Sequence, residues 1–573
     1  LTPNGKVDRK ALPEPDVSHQ QNDYLAPRTE IEKNLCDIWQ EVLGVDRVGT
    51  NDNLFHLGGH SLLIITLVSK MKAGGYEVLP REVFESPTVG LLGALLESQK
   101  FEKLVDFEYT NGDLIYSLPF KQLLYKTNFK DDWLGAQYLT ISQASPNEME
   151  KALRLLLTKH SALRHSYYLD DSGKVVEKDN ALGYDAILVR EDFSCYGEMD
   201  EIVLKIIEYT KAVFSEINLK ANLYKFVLFD CGEGRDSIFL TVIHHANTDR
   251  VSAGVIFSDL FRNYLTLVSG KDLTDTHEST SLEEWGYRYY QYMNSPEITE
   301  DCKYWMSLPW KDIGTLVDFP DGVAKNVSGV PRVYDDVLMS FSLPDKVNRF
   351  LSNEKDIPCG VSVSDIIFFG FVSAVSSLSG NPCVRFDLQS SGRESFVRGV
   401  DISRTVGLFL QHVPVLVEAK CDDGKLNNLL AFVEAYRNIS NRGLSFEGLK
   451  HFSEDSSIRK SFSEIPRAEF AVNFLPSYLD VEQKTSDPDL PWDLVVENRD
   501  DLVLPDIDRP QTEGLCPSYI EISFDEGYTI RWGFRDNVYK KQTIEKAASV
   551  WIQEISDVVD QLESLACCEV AEA

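Results

Sequence analysis

At 573 residues the chain is too long for one hydrophobic core, and it is expected to divide into roughly three to five domain-sized units. Its 43% hydrophobic and 11% aromatic content is that of an ordinary globular protein and excludes a mainly disordered chain. With 90 acidic against 57 basic residues the formal net charge is −33, spread along the sequence. That balance excludes sequence-independent binding to nucleic acid or to anionic lipid, both of which need clustered positive charge.

The ten cysteines are scattered and none forms a C-x-x-C pair, so neither a zinc site nor a dithiol centre is expected. Scattered thiols in a large acidic chain fit a reducing cytoplasm. No signal peptide is expected, and the sequence has no apolar run of membrane-spanning length. The sequence opens on Leu1, and it reads as a segment of something larger.

In chain order, the opening "LTPNGKVDRKALPEPD" is rich in turn formers and charge, and residues 1–26 read as a tail and linker. A helix begins at "TEIEKNLCDIWQEVLG", where Thr29 and Glu32 have capping-box spacing and Ile31, Leu35, Ile38, Trp39, Val42 and Leu43 recur at helical intervals. After a loop, a second helix runs from Ser61 to about Lys72 and is stopped by Gly74 and Gly75. Two shorter pieces, "LPREVFE" and "TVGLLGALLES", close a four-helix bundle over 27–98, followed by a linker at 99–112. From 113 the pattern becomes mixed. "MEKALRLLLTKHSAL" reads as a helix, "SIFLTVIHH" as a buried strand, "SDIIFFGFVSAVSSL" as an apolar helix, "YIEISFDEGYTIRWGF" as a hairpin and "KQTIEKAASVWIQEISDVV" as a final amphipathic helix.

Ser61 follows two glycines and a histidine at the start of a helix. Unpaired backbone N–H groups and the helix dipole favour a phosphate there. The stretch "DNLFHLGGHSL" resembles the attachment motif of the carrier (thiolation) domains of nonribosomal peptide synthetases. The resemblance implies a 4′-phosphopantetheine arm on Ser61, added by a phosphopantetheinyl transferase. The opening "LTPNGKVDRKALP" resembles the last motif of an adenylation domain, with Lys6 at the motif's lysine and idle here as a solvated linker residue. An upstream adenylation domain and neighbouring synthetase modules are the implied partners, with no nucleic acid and no membrane.

Further on, "TVIHHANTDRVSAG" runs an apolar strand into His244, His245 and Asp249, where a carboxylate can fix a histidine tautomer and leave the other ring nitrogen as base or donor. This run resembles the H-H-x-x-x-D-G motif of the condensation superfamily, and "KHSALRHSY" resembles its R-H-x-x-L-R-x-x-F segment, with Arg164 at the second arginine. Later stretches resemble the epimerization branch: "VSDIIFFGFVSA", "GRESFVRGVDISRTVGLFLQHVPVLV", "YRNISNRGLSFEGLKHF" and "AVNFLPSYLD", the last placing Asn473 on the family asparagine. The resemblance implies an α/β fold of two chloramphenicol-acetyltransferase-like lobes, 113–330 and 331–566, around a tunnel, ahead of a tail at 567–573. Beside the all-α carrier bundle this makes a multidomain chain. It also implies that Asp249 and Arg393 tie the histidine loop to the facing lobe.

Two residues depart from the branch. Gln389 stands where it has a glutamate, and Arg250 where it has a glycine. Inversion at Cα of a thioester needs a base on one face and an acid on the other; His245 supplies one side, but a glutamine has no proton to exchange. Arg250 places a cation beside the two histidines, where it would obstruct the tunnel or depress the basicity of His245. Three readings stand open: an epimerization domain acting on a group carried by Ser61, with impaired inversion; a condensation domain forming an amide between carrier-bound groups; and a non-catalytic docking domain. The candidate site residues are His244, His245, Asp249, Gln389 and Asn473, with Arg393 in support, Ser61 for the cofactor and no metal.

Overall fold

The computed structural model describes residues 24–54, 57, 61–76, 78–79, 82–83, 86–98, 115–119, 121–122, 134–169, 175–183, 185–220, 223–273, 279–316, 337–353, 357–393, 397, 399–419, 424–475, 495–498, 516–524 and 527–572. The opening segment with Lys6, the glycines and histidine just before Ser61, the expected linker at 99–112 and Glu394 lie outside the described residues.

The N-terminal unit is helical. Thr29 caps the helix Glu30–Leu43 reciprocally with Glu32, and Gly44 ends it in the left-handed conformation at φ 65°. Its apolar face, with Leu35, Trp39 and Val42, packs on Leu67 and Met71 of the helix Ser61–Ala73 and on Val89, Leu92 and Leu96 of the helix Val89–Ser98. Of the expected third helix only Leu79, Glu82 and Val83 are described, and the Glu82 carboxylate accepts from the Leu79 amide at 2.8 Å. This unit has a core of its own, drawn from residues 35–96.

The first lobe of the large domain holds β1 (Leu134–Ile141), β2 (His165–Leu169), β3 (Val175–Asp179), β4 (Leu188–Asp192), β5 (Tyr224–Asp230) and β6 (Ser237–His244). Phe239 and Ile243 of β6 face the helices Pro146–Lys159 and Arg250–Val268, while Ile238, Leu240 and Val242 face the helix Met199–Glu216. A strand covered on both faces reads as an unbroken apolar run, which is why "SIFLTVIH" shows no alternation. β2 and β3 form a separate antiparallel pair.

The second lobe holds β7 (Val337–Ser342), β8 (Cys383–Ser390), β9 (Gln411–Glu418), β10 (Phe470–Leu475), β11 (Val495–Asn498), β12 (Ser518–Phe524) and β13 (Tyr528–Phe534). Six of these form a sheet ordered β7-β13-β12-β10-β8-β9, in which β10 runs parallel to β8 and β12, and β12–β13 is the expected hairpin. β11 leaves this lobe and pairs antiparallel with β1, giving the first lobe's sheet the order β11-β1-β6-β5-β4. The lobes therefore do not divide cleanly near residue 330. The last helix, Lys541–Glu572, also continues past 566, because "LESLACCEVAE" contains neither glycine nor proline to stop it.

The helix Val363–Ser379 is capped by Ser362 and Asp365 and packs its apolar surface on the six-stranded sheet and on the terminal helix. Trp551 donates to the Ile367 carbonyl at 2.8 Å. The two helices approach so closely at Gly370 that a Cβ there would lie 2.7 Å from Ile555 Cγ1 and 3.0 Å from Trp551 Cδ1. Gly370→Ala is therefore expected to cost about 1–3 kcal/mol through overpacking. A urea midpoint equal to that of the parent would show that the helices separate without penalty.

Candidate active site at the seam between the lobes

β6 delivers the two histidines, and they part at its end. His244, the last strand residue, has no solvent exposure, and its Nδ1 accepts from the Ala246 amide at 2.9 Å, which leaves the ring proton on Nε2. His245 opens a single 3-10 turn, His245–Asn247, and is half-buried. Its ring lies over Gly135 of β1, where a Cβ would sit 3.8 Å from both Cε1 and Nε2. Of the pair, His245 alone keeps accessible surface.

Asp249 caps the helix Arg250–Val268, with Oδ1 accepting from the Ser252 amide at 2.7 Å. Oδ2 accepts from the Phe409 amide at 3.0 Å, and the Arg393 guanidinium lies 3.1 Å and 3.3 Å from the two oxygens. No hydrogen bond joins Asp249 to either histidine among the described residues. The sequence-based expectation that Asp249 fixes a histidine tautomer is thus corrected: the helix cap and the cation across the seam use up the carboxylate. The expected Asp249–Arg393 tie between the lobes is present.

Arg393 is fully buried and donates to the carbonyls of Ile402 and Thr405 at 2.8 Å and 2.9 Å and to Ser252 Oγ at 2.8 Å. Gly392, at φ 67°, lets the backbone pass so close to the Phe409 carbonyl that a Cβ would lie 1.8 Å from its oxygen. A second ion pair crosses the seam ten residues along the same helix, where Arg404 meets Asp259, itself bonded to His160 at 2.9 Å. Arg250 is the exposed first residue of that helix.

Beneath the histidine turn lies a buried polar cluster that the sequence reading missed. His165 Nδ1 meets Glu177 at 2.8 Å and Nε2 meets Glu283 at 2.9 Å, so both ring nitrogens donate and the ring is an imidazolium. Lys121 binds the same Glu177 oxygen at 2.6 Å, and Tyr167 donates to Asn247 Oδ1 at 2.5 Å. Asn247 in turn donates to the His165 carbonyl at 3.0 Å, which closes the path from cluster to turn. Potential ligand atoms of His165, Asp179 and Glu283 lie within 4.8 Å of one another, but Arg164 binds Asp179 at 2.7 Å and the carboxylates hold His165. The group is satisfied as an ion-pair network and does not need a metal.

Burial opposes charge on His165, but its two carboxylate bonds more than offset this, and its pKa is raised. Burial likewise pushes the Glu283 carboxyl up, yet the His165 imidazolium brings it down to about 2 from 4.5.

Gln389 and Asn473 sit on neighbouring parallel strands, one step beyond the Val472–Leu388 pairing of β10 and β8. The Tyr519 hydroxyl, on β12, donates to Gln389 Oε1 at 3.2 Å. His245 lies four residues before Asp249 and Gln389 four before Arg393. Each is thus within about 14 Å of chain from the ion pair that joins the lobes. Ser61 opens the separate helix Ser61–Ala73, whose first turn carries no acidic residue.

Two outcomes follow from this geometry. Asp249→Ala leaves the buried Arg393 without its carboxylate and is expected to cost about 3–5 kcal/mol; an unchanged melting temperature would show the pair to be dispensable. For His165, the folded pKa exceeds the unfolded one, so its stabilisation is complete below the unfolded value of about 6.5 and is lost as pH rises through the folded value. Glu283 acts oppositely, its contribution being present above pH 4.5 and lost as pH falls through about 2. His165→Gln should therefore flatten the decline of the urea midpoint on the alkaline side, and a slope equal to the parent's would count against an imidazolium at this position.

Comparison with known proteins matches residues 130–566 to the Condensation domain family and residues 33–96 to the Phosphopantetheine attachment site family. The chain is 27% identical over 495 residues to surfactin synthase subunit 2 of Bacillus subtilis, covering 85% of this chain and 13% of that protein. It is 26% identical to tyrocidine synthase 1 of Brevibacillus parabrevis, covering 85% of this chain and 44% of the relative. It thus spans less than half the length of either. Among solved structures, the epimerization domain from the third module of tyrocidine synthetase B aligns with a TM-score of 0.63 at 19% identity, covering 79% of this chain and 98% of that one. The first condensation domain of the CDA synthetase aligns at 0.53 and 13% identity, covering 78% and 96%. These likenesses establish a common fold of the chloramphenicol-acetyltransferase type. The chain belongs to the condensation-domain family, with a phosphopantetheine-bearing carrier domain ahead of it in the manner of nonribosomal peptide synthetases.

Proposed function

We propose that the large domain acts on an aminoacyl or peptidyl thioester carried by Ser61, with His245 taking the Cα proton and returning it, and with inversion from L to D impaired because Gln389 supplies no proton to the opposite face. The observation that carries this reading is the separation of the two histidines: His244 is sealed and hydrogen-bonded, while His245 is accessible at the end of a buried strand and braced from below. A buried scaffold with one accessible imidazole is what a general base requires. The 4′-phosphopantetheine arm supplies a thioester that makes the acyl group mobile and its Cα proton acidic. Ser61 fits as its anchor, since the first turn of its helix offers backbone N–H groups and no acidic side chain to a phosphate.

On this reading residues 1–26 are an adenylation-domain tail and linker, and 27–98 are the carrier. The arm is installed by a phosphopantetheinyl transferase and loaded by an upstream adenylation domain, and neighbouring modules take the product. The setting is cytoplasmic; among the described residues no helix is long and apolar enough to cross a membrane.

Gln389 favours a second reading, amide formation between two carrier-bound groups, because it offers no second proton donor opposite His245. Positioning an amine beside a thioester supplies much of that acceleration. A docking domain without catalysis is the remaining alternative.

The test has two stages. Incubation with coenzyme A and a broad phosphopantetheinyl transferase is expected to add one pantetheine mass, and none to Ser61→Ala. Deuterium wash-in at Cα of the loaded aminoacyl group should then fall on the order of 10²–10⁴-fold in His245→Ala. Labelling of Ser61→Ala, or exchange undiminished in His245→Ala, overturns the assignment. Amide formation with a second loaded carrier, in the absence of exchange, selects the second reading.

A further inference from the structure

We propose that Gln389 and Asn473 form a paired carboxamide site that donates to the acyl carbonyl oxygen of the carried substrate, with Tyr519 as the residue that orients Gln389. The proposal rests on the reading that an acyl thioester enters this domain, and it gives Gln389 a task in place of the proton transfer it cannot perform.

The second-lobe sheet has two faces of opposite character. Phe386, Phe470, Val472, Ile520 and Ile522 point into the apolar core under the helices Val363–Ser379 and Lys541–Glu572. Strand alternation sends Gln389, Asn473 and Tyr519 to the other face. There Gln389 and Asn473 are neighbours on strands about 4.8 Å apart, and all three residues are half-buried.

A primary carboxamide has one acceptor oxygen and two N–H donors. The Tyr519 hydroxyl occupies the Gln389 oxygen, which fixes the amide so that Nε2 is the group left to act. Among the described residues neither Gln389 Nε2 nor the Asn473 carboxamide has a hydrogen-bond partner. Two adjacent carboxamides whose N–H groups no described protein group engages suit an oxygen with two lone pairs, which is what an acyl carbonyl presents. Charge accumulates on that oxygen whether a Cα proton leaves or an amine attacks, so the site serves either chemistry. An ionised glutamate at 389 would only accept hydrogen bonds and would repel that charge.

The experiment reads the oxygen directly. A ¹³C-carbonyl aminoacyl group is linked through a non-hydrolysable amide to the arm on Ser61 of the full chain, and its carbonyl band is isolated by isotope-difference infrared spectroscopy. Hydrogen bonding lowers the band's frequency, so it should move up in Gln389→Leu, in Asn473→Leu and in the isosteric Gln389→Glu, with a smaller rise in Tyr519→Phe. His245→Ala should leave it in place. With the thioester substrate, turnover should fall on the order of 10²-fold on loss of one donor. A band at the parental frequency in both Gln389→Leu and Gln389→Glu overturns the proposal, even if His245-dependent exchange persists. A band that moves as expected on a chain that shows no Cα exchange upholds the donor site and rejects the inversion.

Discussion

The buried contact between Asp249 and Arg393 is the constraint on which the arrangement of this domain depends. It combines a helix cap, a cross-lobe backbone bond and an ion pair in one carboxylate, while the two terminal nitrogens of the arginine also donate to two carbonyls and Ser252 and its buried Nε is left without a partner. A buried pair of this kind adds little net stability over well-packed apolar side chains, because removing both charges from water offsets most of their attraction. Its physical value lies in geometry. Neither charge has another outlet, so the two lobes keep one register at the point where His245 and Gln389 emerge four residues away on either side. The Arg404–Asp259 pair repeats the constraint further along the same helix and limits rotation about the first contact.

The histidine turn is fixed from below by different chemistry. Glu177 and Glu283, two buried carboxylates, are balanced by Lys121 and the His165 imidazolium, and the network reaches the turn through Tyr167 and Asn247. Such a cluster persists only when every member is satisfied, since one orphaned charge in a low-dielectric interior is expensive. The result is that the backbone of His245 is held on three sides: by the strand before it, the helix cap after it and the ionic layer under it. The carboxamide face of the opposite lobe is the counterpart, with polar side chains carried by strands whose other face is locked into the largest apolar core among the described residues.

Much of this is legible in the sequence because it is local. The capping box at Thr29 and Glu32, the unbroken apolar run of β6, the hairpin at 518–534 and the helix opening on Ser61 each follow from residues within one or two turns of one another. Motif resemblance adds Asp249–Arg393, a pair separated by 144 residues that no periodicity reveals. Other features have no local signature. β11 carries four residues whose partner strand lies more than 350 positions earlier. Tyr519 reads as one polar position in an alternating strand, and its bond to Gln389 spans 130 residues. His165 stands beside the motif arginine Arg164 without a signal of its own, because its two carboxylates come from β3 and from a helix 118 residues onward.

The sequence by itself determined the elements, the carrier-plus-condensation organisation and the residue types available for chemistry, since these depend on propensity, spacing and motif. Only the tertiary structure decided which of them act together. It turned Asp249 away from the histidines and toward Arg393, sealed His244 while leaving His245 accessible, and set Gln389 beside Asn473 under the Tyr519 hydroxyl. The physical reason is that hydrogen bonds and ion pairs reach only about 3 Å, and proximity on that scale between distant segments is created by packing the two lobes, which no stretch of sequence encodes on its own.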